Sequence, residues 1–440
     1  MRPNMHNETE GDEASPALVP KLRFPNFKDT GDWTTATLGT LVKISVERVG
    51  AQVAMPMSIT SGVGLVSQME KFGRVIAGSS YANYLLLKTG DFAYNKSATK
   101  DYPEGFICLY TGDELAAVPN SIFTCFRISG DSLASTFLNF QFLNNLHGKW
   151  LRNFIEVGAR AHGSLSIADR DLLAIPIPMP AGNTGFQEQQ RIADCLGSLD
   201  ELMAAQARKV EGLKAHKKGL MQQLFPQEGE TQPRLRFPEF LDAGEWVEVA
   251  LGESCDRIMD GTHFSPKSTA GTRPYLTSKN VRDGFIDLSN LSYISEEDHL
   301  EIYKKCPVKM HDVLLTKDGA NTGNCAINNL DFEFSLLSSV AVLRGKPNLI
   351  LQRFLLQSML SDSIQSLIFG SISGQAITRI TLTKIAAFSI SVTSLPEQQR
   401  IADCLTSLDD LITAESTKLS ALKTHKKGLM QQLFPTPAED

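Results

Sequence analysis

The 440-residue chain predicts an α/β (α+β) protein in which two globular domains are joined by an antiparallel pair of long coiled-coil helices, a pseudo-twofold tandem duplication. Three observations carry that prediction. The segment from Glu188, EQQRIADCLGSLDELMAAQARKVEGLKAHKKGLMQQLFP, returns from Glu397 as EQQRIADCLTSLDDLITAESTKLSALKTHKKGLMQQLFP, with 28 identities in 39 positions at an offset of 209. A lead-in from Pro20, PKLRFPNFKDTGDW followed by Leu38-Gly39, returns from Pro233 as PRLRFPEFLDAGEW followed by Leu251-Gly252, at an offset of 213. Between these repeats, Val42 to Pro180 and Glu253 to Val392 share no comparable similarity. A fixed frame therefore carries two divergent inserts.

In chain order, residues 1–19 read as a disordered polar tail and 20–186 as the first domain. Residues 187–226 form the first spacer helix, 227–393 the second domain and 394–435 the second spacer helix. Short β-rich runs at Tyr84 to Leu87, Ile107 to Tyr110, Val313 to Thr316 and Ser339 to Leu343 alternate with turn signals such as Thr89-Gly90-Asp91 and Asp283-Gly284. Ser132 to Leu146 and Leu349 to Leu367 read as helices. The repeated segments carry a heptad seam of alternating steps of four and three: Ile192, Leu196, Leu199, Met203, Val210 and Leu213 in one copy, Ile401, Leu405, Leu408, Ile412, Leu419 and Leu422 in the other. Polar breaks fall at the same places in both, Gln206 with Glu415 and Lys217 with Lys426. Ser394 and Glu397 have capping-box spacing, Thr184 and Gln187 a weaker version of it. Phe225-Pro226 and Phe434-Pro435 end the helices, because proline cannot continue the ladder. Each rod is roughly 55 Å long and cannot bury its stripe alone. Its copy is the natural partner, and an antiparallel register brings Gln206 and Glu415 into one layer.

Composition narrows the function classes. A hydrophobic fraction of 42% with 21% charged residues is that of a soluble globular chain. No apolar run approaches the ~18–20 residues that span a bilayer, and the N-terminus does not read as a signal peptide. Seven cysteines, never spaced C-x-x-C, argue against a zinc ribbon or disulfide scaffold and fit a reducing cytoplasm. There is no Walker A loop, no H-E-x-x-H, no G-x-S-x-G and no N/D-P-P-Y/F tetrapeptide, so no catalytic site and no metal site is expected. His216 and His425, one repeated position, read as helix surface. The net charge is −6; residues 43–180 carry 12 basic and 11 acidic groups, and 256–380 carry 13 of each. Neither insert alone has a basic footprint for nucleic acid.

Two divergent α/β domains, each followed by a long helix opening on P-E-Q-x-x-I or a close variant, resemble the specificity subunit of Type I restriction–modification enzymes. The carrying residues are Leu395-Pro396-Glu397-Gln398-Gln399-Arg400-Ile401 and, without the proline, Phe186-Gln187-Glu188-Gln189-Gln190-Arg191-Ile192. Asp260-Gly261-Thr262-His263 with Pro266, Asp312 to Gly319, and Gly90 to Asn95 are also similar to that family, over roughly residues 20–435. The resemblance implies a non-catalytic subunit. Each target recognition domain would read one half of a bipartite double-stranded DNA site, and the helices would act as spacer and docking surface. Two methyltransferase subunits would bring S-adenosylmethionine and two restriction/translocase subunits ATP and Mg; this chain would bind none of these cofactors.

The DNA-contact candidates are chosen by chemistry: amides suit adenine, while guanidinium and ammonium groups suit guanine or phosphate. In the first domain they are Tyr94, Asn95 and Lys96 at a strand end, and Arg160 and His162 in a Gly-flanked loop. In the second they are His263, Lys279, Asn280, Arg282 and Lys317, with Gln375 and Arg379 in a Gly/Ser-rich stretch. Asn95 and Asn280 have a purely structural alternative as turn formers. The competing function is a protein-binding coiled-coil scaffold, or a relict specificity subunit that no longer reads DNA; the balanced charge of the inserts speaks for it.

Overall fold

The computed structural model describes residues 18–60, 62–155, 163, 165–264, 266, 271–372 and 379–435. The chain divides into two compact units, residues 1–205 with 419–440, and residues 206–418. The long helices Gly185–Leu224 and Leu395–Leu433 both cross that division, so each unit owns the start of one and the end of the other.

Ten strands are described in the first unit: β1 (Trp33–Thr37), β2 (Val42–Ser45), β3 (Met55–Thr60), β4 (Gly64–Ser67), β5 (Leu85–Leu87), β6 (Phe92–Asn95), β7 (Phe106–Leu109), β8 (Ala116–Val118), β9 (Phe123–Ile128) and β10 (Pro176–Pro180). They form an antiparallel sheet β2-β9-β6-β7, a mixed sheet β4-β3-β8-β5 and a ribbon β1-β10. The second unit follows with β11 (Val247–Ala250), β12 (Cys255–Asp260), β13 (Arg273–Leu276), β14 (Ser292–Ile294), β15 (Val313–Thr316), β16 (Cys325–Ile327), β17 (Ser335–Leu336), β18 (Val340–Gly345) and β19 (Ser389–Val392). Its sheets are β12-β18-β15-β16, β14-β13-β17 and β11-β19.

The two topologies correspond apart from one added strand. Each main sheet takes its strands in the chain order first, fourth, second, third, with every neighbour antiparallel. Each smaller sheet has one antiparallel pair, β3–β4 or β13–β14, and one parallel pair, β3–β8 or β13–β17. Strand β5 is the addition in the first unit. The inserts share a fold while sharing almost no sequence, because the pattern of burial is kept and the residues that satisfy it are not.

One turn shows how far the equivalence goes. Asp91, fully buried ahead of β6, accepts from the Lys88 N–H at 2.8 Å and holds Arg127 of β9 at 2.5 and 2.8 Å. Asp312, ahead of β15, accepts from the Lys309 N–H at 2.7 Å and holds Arg344 of β18 at 2.8 and 2.6 Å. The preceding residue has positive φ in both, Gly90 at 90° and His311 at 69°.

The repeated sequence is explained by the joints it makes. Glu188 takes the Arg23 guanidinium at 2.8 and 2.7 Å, and Glu397 takes Arg236 at 2.7 and 2.7 Å, which ties each lead-in to the start of a long helix. Gln189 grips Ser132 O and Ala134 N, and Gln398 grips Leu349 O and Leu351 N, so the next residue fixes the loop before the domain's own helix. The aromatics Trp33, Phe137 and Phe434 form one cluster, Trp246, Phe354 and Phe225 its counterpart. Each such ring pair contributes roughly 0.5–1.5 kcal/mol beyond its buried area. Gly39 and Gly252 recur because a Cβ there would stand 3.1 Å from Leu173 Cβ and 3.2 Å from Ala386 Cβ.

The seam positions line the helix pairing inside each unit. In the first, Ile192 and Leu196 are buried with Met430 and Leu433, while Leu199, Met203, Leu419 and Leu422 are half-buried. In the second, Val210, Ile401 and Leu405 are buried, and Leu213, Leu408 and Ile412 half-buried. Gln206 donates to the Glu415 carboxylate at 2.5 Å and to its carbonyl at 2.9 Å, and Lys209 reaches the same carboxylate at 2.6 Å. These bonds, that from Lys209 first, hold the Glu415 carboxyl below its ordinary range. The seam lysines are paired: Lys217 with Asp409 at 2.7 Å and Lys426 with Asp200 at 2.6 Å.

Two expectations need correction. Glu397 does not close a capping box on Ser394: two charge-assisted bonds from Arg236 and one from the Thr393 hydroxyl occupy its oxygens. The tail expected over 1–19 lies outside the described residues except at its end, where Leu18 bridges to Trp33 and is tied down.

Candidate nucleic-acid interface

In the second unit, residues far apart in sequence converge at the end of β15. Lys317 follows that strand with 2% of its side chain exposed; its ammonium lies 3.3 Å from Asp260 at the end of β12 and 3.3 Å from Asp318. Asp260 also holds His263 Nε2 at 3.3 Å, and the imidazole is 61% exposed. Arg379, 57% exposed, stands 3.8 Å from Asp318 and pairs with it through the backbone, while Ile380 N–H donates to Lys317 O at 3.0 Å. The turn Thr277 to Asn280 joins the group because Ser278 N–H donates to Ser339 Oγ at 3.2 Å and Asn321 donates to Ser278 O at 3.0 Å. It presents Lys279 to solvent. The result is a rim of exposed donors (His263, Lys279, Arg379) around a buried lysine clamped by two carboxylates. Such a rim is suited to phosphate and to base-edge acceptors, neither of which the clamped ammonium can reach.

The first unit repeats the backbone of this site with different side chains. Lys96 follows β6 as Lys317 follows β15. Its N–H donates to Ile122 O at 2.9 Å, as that of Lys317 does to Ser339 O, and its carbonyl accepts from Leu165, as that of Lys317 does from Ile380. Lys96 is half-buried, and among the described residues no carboxylate clamps it as Asp260 and Asp318 clamp Lys317.

The structure brings His263, Lys279, Lys317 and Arg379 together and moves other candidates into structural roles. Tyr94 is fully buried; its hydroxyl donates to Glu104 O at 2.9 Å, and burial pushes its phenol well above the ordinary range. It is no stacking ring, because β6 is covered on both faces. Asn95 is buried and accepts from the Ser97 N–H at 2.9 Å, while Asn280 accepts from Thr277 N–H and donates to Asp287 O, so both amides shape turns. Lys317 is too buried to meet DNA directly and becomes a positioning residue. Arg282, 39% exposed, pairs with Asp287 at 3.4 Å within its own hairpin. Arg160, His162 and Gln375 lie outside the described residues. Sequence reading missed the role of Asp260, although it lies in the Asp260-Gly261-Thr262-His263 motif; a buried lysine needs such a partner. Among the described residues, no cluster of side chains suits a metal ion and no helix is long and apolar enough to cross a membrane.

Two strand-end platforms on one duplicated α/β scaffold define a class: paired α/β units that share two long helices. Residues 243–424 match the family described as the Type I restriction modification DNA specificity domain. The Methanocaldococcus jannaschii type I restriction enzyme MjaVIII specificity subunit is 25% identical over 293 residues, 65% of this chain and 67% of that one. The MjaX specificity subunit of the same organism is 26% identical over 299 residues, 66% of this chain and 65% of that one. Among solved structures, the S subunit of the type I restriction–modification system of M. genitalium has a TM-score of 0.57 at 16% identity, covering 96% of this chain and 100% of that chain. A chain from a structure of type I R-M complex assembly and conformational transition has a TM-score of 0.54 at 17% identity, covering 92% and 98%. The family match over residues 243–424 and the two relatives make this chain similar to specificity subunits of Type I restriction–modification systems, and the solved structures share its fold.

Proposed function

We propose that this chain is the sequence-reading subunit of a Type I restriction–modification complex. Each unit reads one half of a bipartite duplex target, and the helix pair docks methyltransferase subunits. The similarity to specificity subunits speaks for a non-catalytic role. In this reading S-adenosylmethionine is held by two methyltransferase partners, and ATP with Mg by two restriction/translocase partners.

The observation that carries the reading is the equivalence of the two units. The family match covers residues 243–424, and the shared strand topology supports extending its function to the first unit. Divergent side chains on equivalent backbone are what two different half-sites demand. Balanced charge in each insert fits a subunit that grips DNA only alongside partners, since phosphate contacts supply most of the non-specific affinity. Mapping methylated adenines genome-wide in cells with and without this chain tests the reading. A bipartite motif that vanishes with the chain is expected; an unchanged methylome would favour the scaffold function instead.

A further inference from the structure

On the platform of the second unit, Asp318 leaves a hydrogen-bonding site unused. Its Oδ2 meets the Lys317 ammonium at 3.3 Å, while its Oδ1 is buried and accepts no hydrogen bond among the described residues. Arg379 Nε stands 3.8 Å from that oxygen, close enough for an ion pair and too far for a hydrogen bond. A buried carboxylate oxygen without a donor is costly, and a donor that arrives with a ligand would satisfy it.

The Asp318–Arg379 pair is not what holds the chain together here. The two backbones already bridge, and Ile380 N–H donates to Lys317 O at 3.0 Å. With its guanidinium 57% exposed, Arg379 adds little to stability through a contact of this length. The pair instead sets a planar fork of donors beside an acceptor. That is the complement of the major-groove edge of a G·C pair, where guanine O6 and N7 accept and cytosine N4 donates. An A·T pair reverses the pattern, bringing the adenine amino group against the guanidinium and thymine O4 against the carboxylate. Buried Lys317 has a purpose in this arrangement. A carboxylate that faces a duplex is repelled by phosphates, and Lys317 balances its charge from the protein side. Arg379 can then turn outward without leaving Asp318 uncompensated.

We infer that Arg379 and Asp318 together read one G·C pair in the half-site of the second unit. The guanidinium bonds guanine O6 and N7; as it turns outward, Asp318 Oδ1 opens to the cytosine amino group. The inference rests on the DNA-reading function proposed above. At the matching positions the first unit has no such pair: Ser97 follows Lys96 where Asp318 follows Lys317, and Ser164 precedes Leu165 where Arg379 precedes Ile380. The preference therefore belongs to one half of the target.

The test uses the full chain assembled with its methyltransferase subunits. Genome-wide mapping gives the methylated motif, and competition binding follows on duplexes altered one base pair at a time. Wild type should prefer G·C over A·T at one position of one half by about ten- to a hundredfold. Arg379→Ala should reduce that preference by at least about fivefold at that position alone, with thermal unfolding unchanged. Guanine replaced there by 7-deazaguanine, which lacks the N7 acceptor, should weaken wild type about tenfold and Arg379→Ala not at all. The double variant Arg379→Gln with Asp318→Asn should move the preference towards A·T, because amides suit adenine; a merely structural pair would not be re-aimed in this way. A bipartite motif in which neither variant alters any G·C preference, or variants that weaken all sequences alike, would overturn this inference and leave the DNA-reading function standing. A complex that methylates no bipartite motif would overturn both.

Discussion

Lys96 and Lys317 hold the same place in two copies of one fold, and their surroundings differ. Lys317 is enclosed by Asp260 and Asp318, which fix the backbone between His263 and Arg379. Lys96 has the same backbone bonds and, among the described residues, no carboxylate clamp. The scaffold decides where a recognition platform stands; the insert decides what stands on it. The joints obey the opposite rule: Arg23–Glu188 and Arg236–Glu397 are alike in partners, distances and burial. Frame and platform have thus answered different demands, one for equality and one for difference.

If the joints are equal, breaking them should cost the same. Arg23→Ala and Arg236→Ala each leave a carboxylate that is 1% exposed without its cation, and each should destabilise its unit by about 3–5 kcal/mol. Urea unfolding followed in both variants checks this; a loss confined to one would break the symmetry. A second test is acid sensitivity. His147 is fully buried in the first unit, and desolvation lowers its pKa to about 4. The unfolded chain binds the proton more readily, so this contribution is complete above the unfolded value near 6.5 and falls away as pH drops towards 4. About 3 kcal/mol should be lost across that window, and His147→Leu should flatten this part of the curve of melting temperature against pH.

Smaller effects probe the platforms. Arg379→Ala or His263→Ala should cost roughly 1–3 kcal/mol of site-specific binding by the assembled complex, whereas Lys279→Ala should weaken all sequences alike and shallow the salt dependence. Competition binding at several salt concentrations separates the two outcomes. Smallest of all, His311 holds φ 69° where its counterpart is Gly90. His311→Gly should stabilise the second unit by about 0.5–1 kcal/mol, and Gly90→Ala should destabilise the first by about 1–2 kcal/mol, both measurable by thermal unfolding.

Much of the frame was legible because it is written twice. Heptad spacing placed the helices, and the run Val313 to Thr316 is observed as β15 over those same residues. Strand β10 was not legible: Pro176, Pro178 and Pro180 argue against a strand, yet it pairs with β1 in a two-stranded ribbon, where prolines can turn their missing donors outward. The candidate recognition residues were half legible. Exposed cations could be named from chemistry, but Tyr94 and Lys317 look equally suited to DNA until the fold shows one inside the core and the other between aspartates that lie 57 residues before and one after it in sequence. Burial of a polar side chain depends on partners that its local sequence does not identify.

The claim that the two units read separate half-sites from a common frame is tested most directly by mapping methylated adenines in cells that carry wild-type chain, the His263→Ala/Arg379→Ala variant or Lys96→Ala. Each variant should relax base preference in one half of the bipartite motif, a different half for each, and leave the other half unchanged. Equal relaxation of both halves by either variant, or no change from any of them, would contradict it.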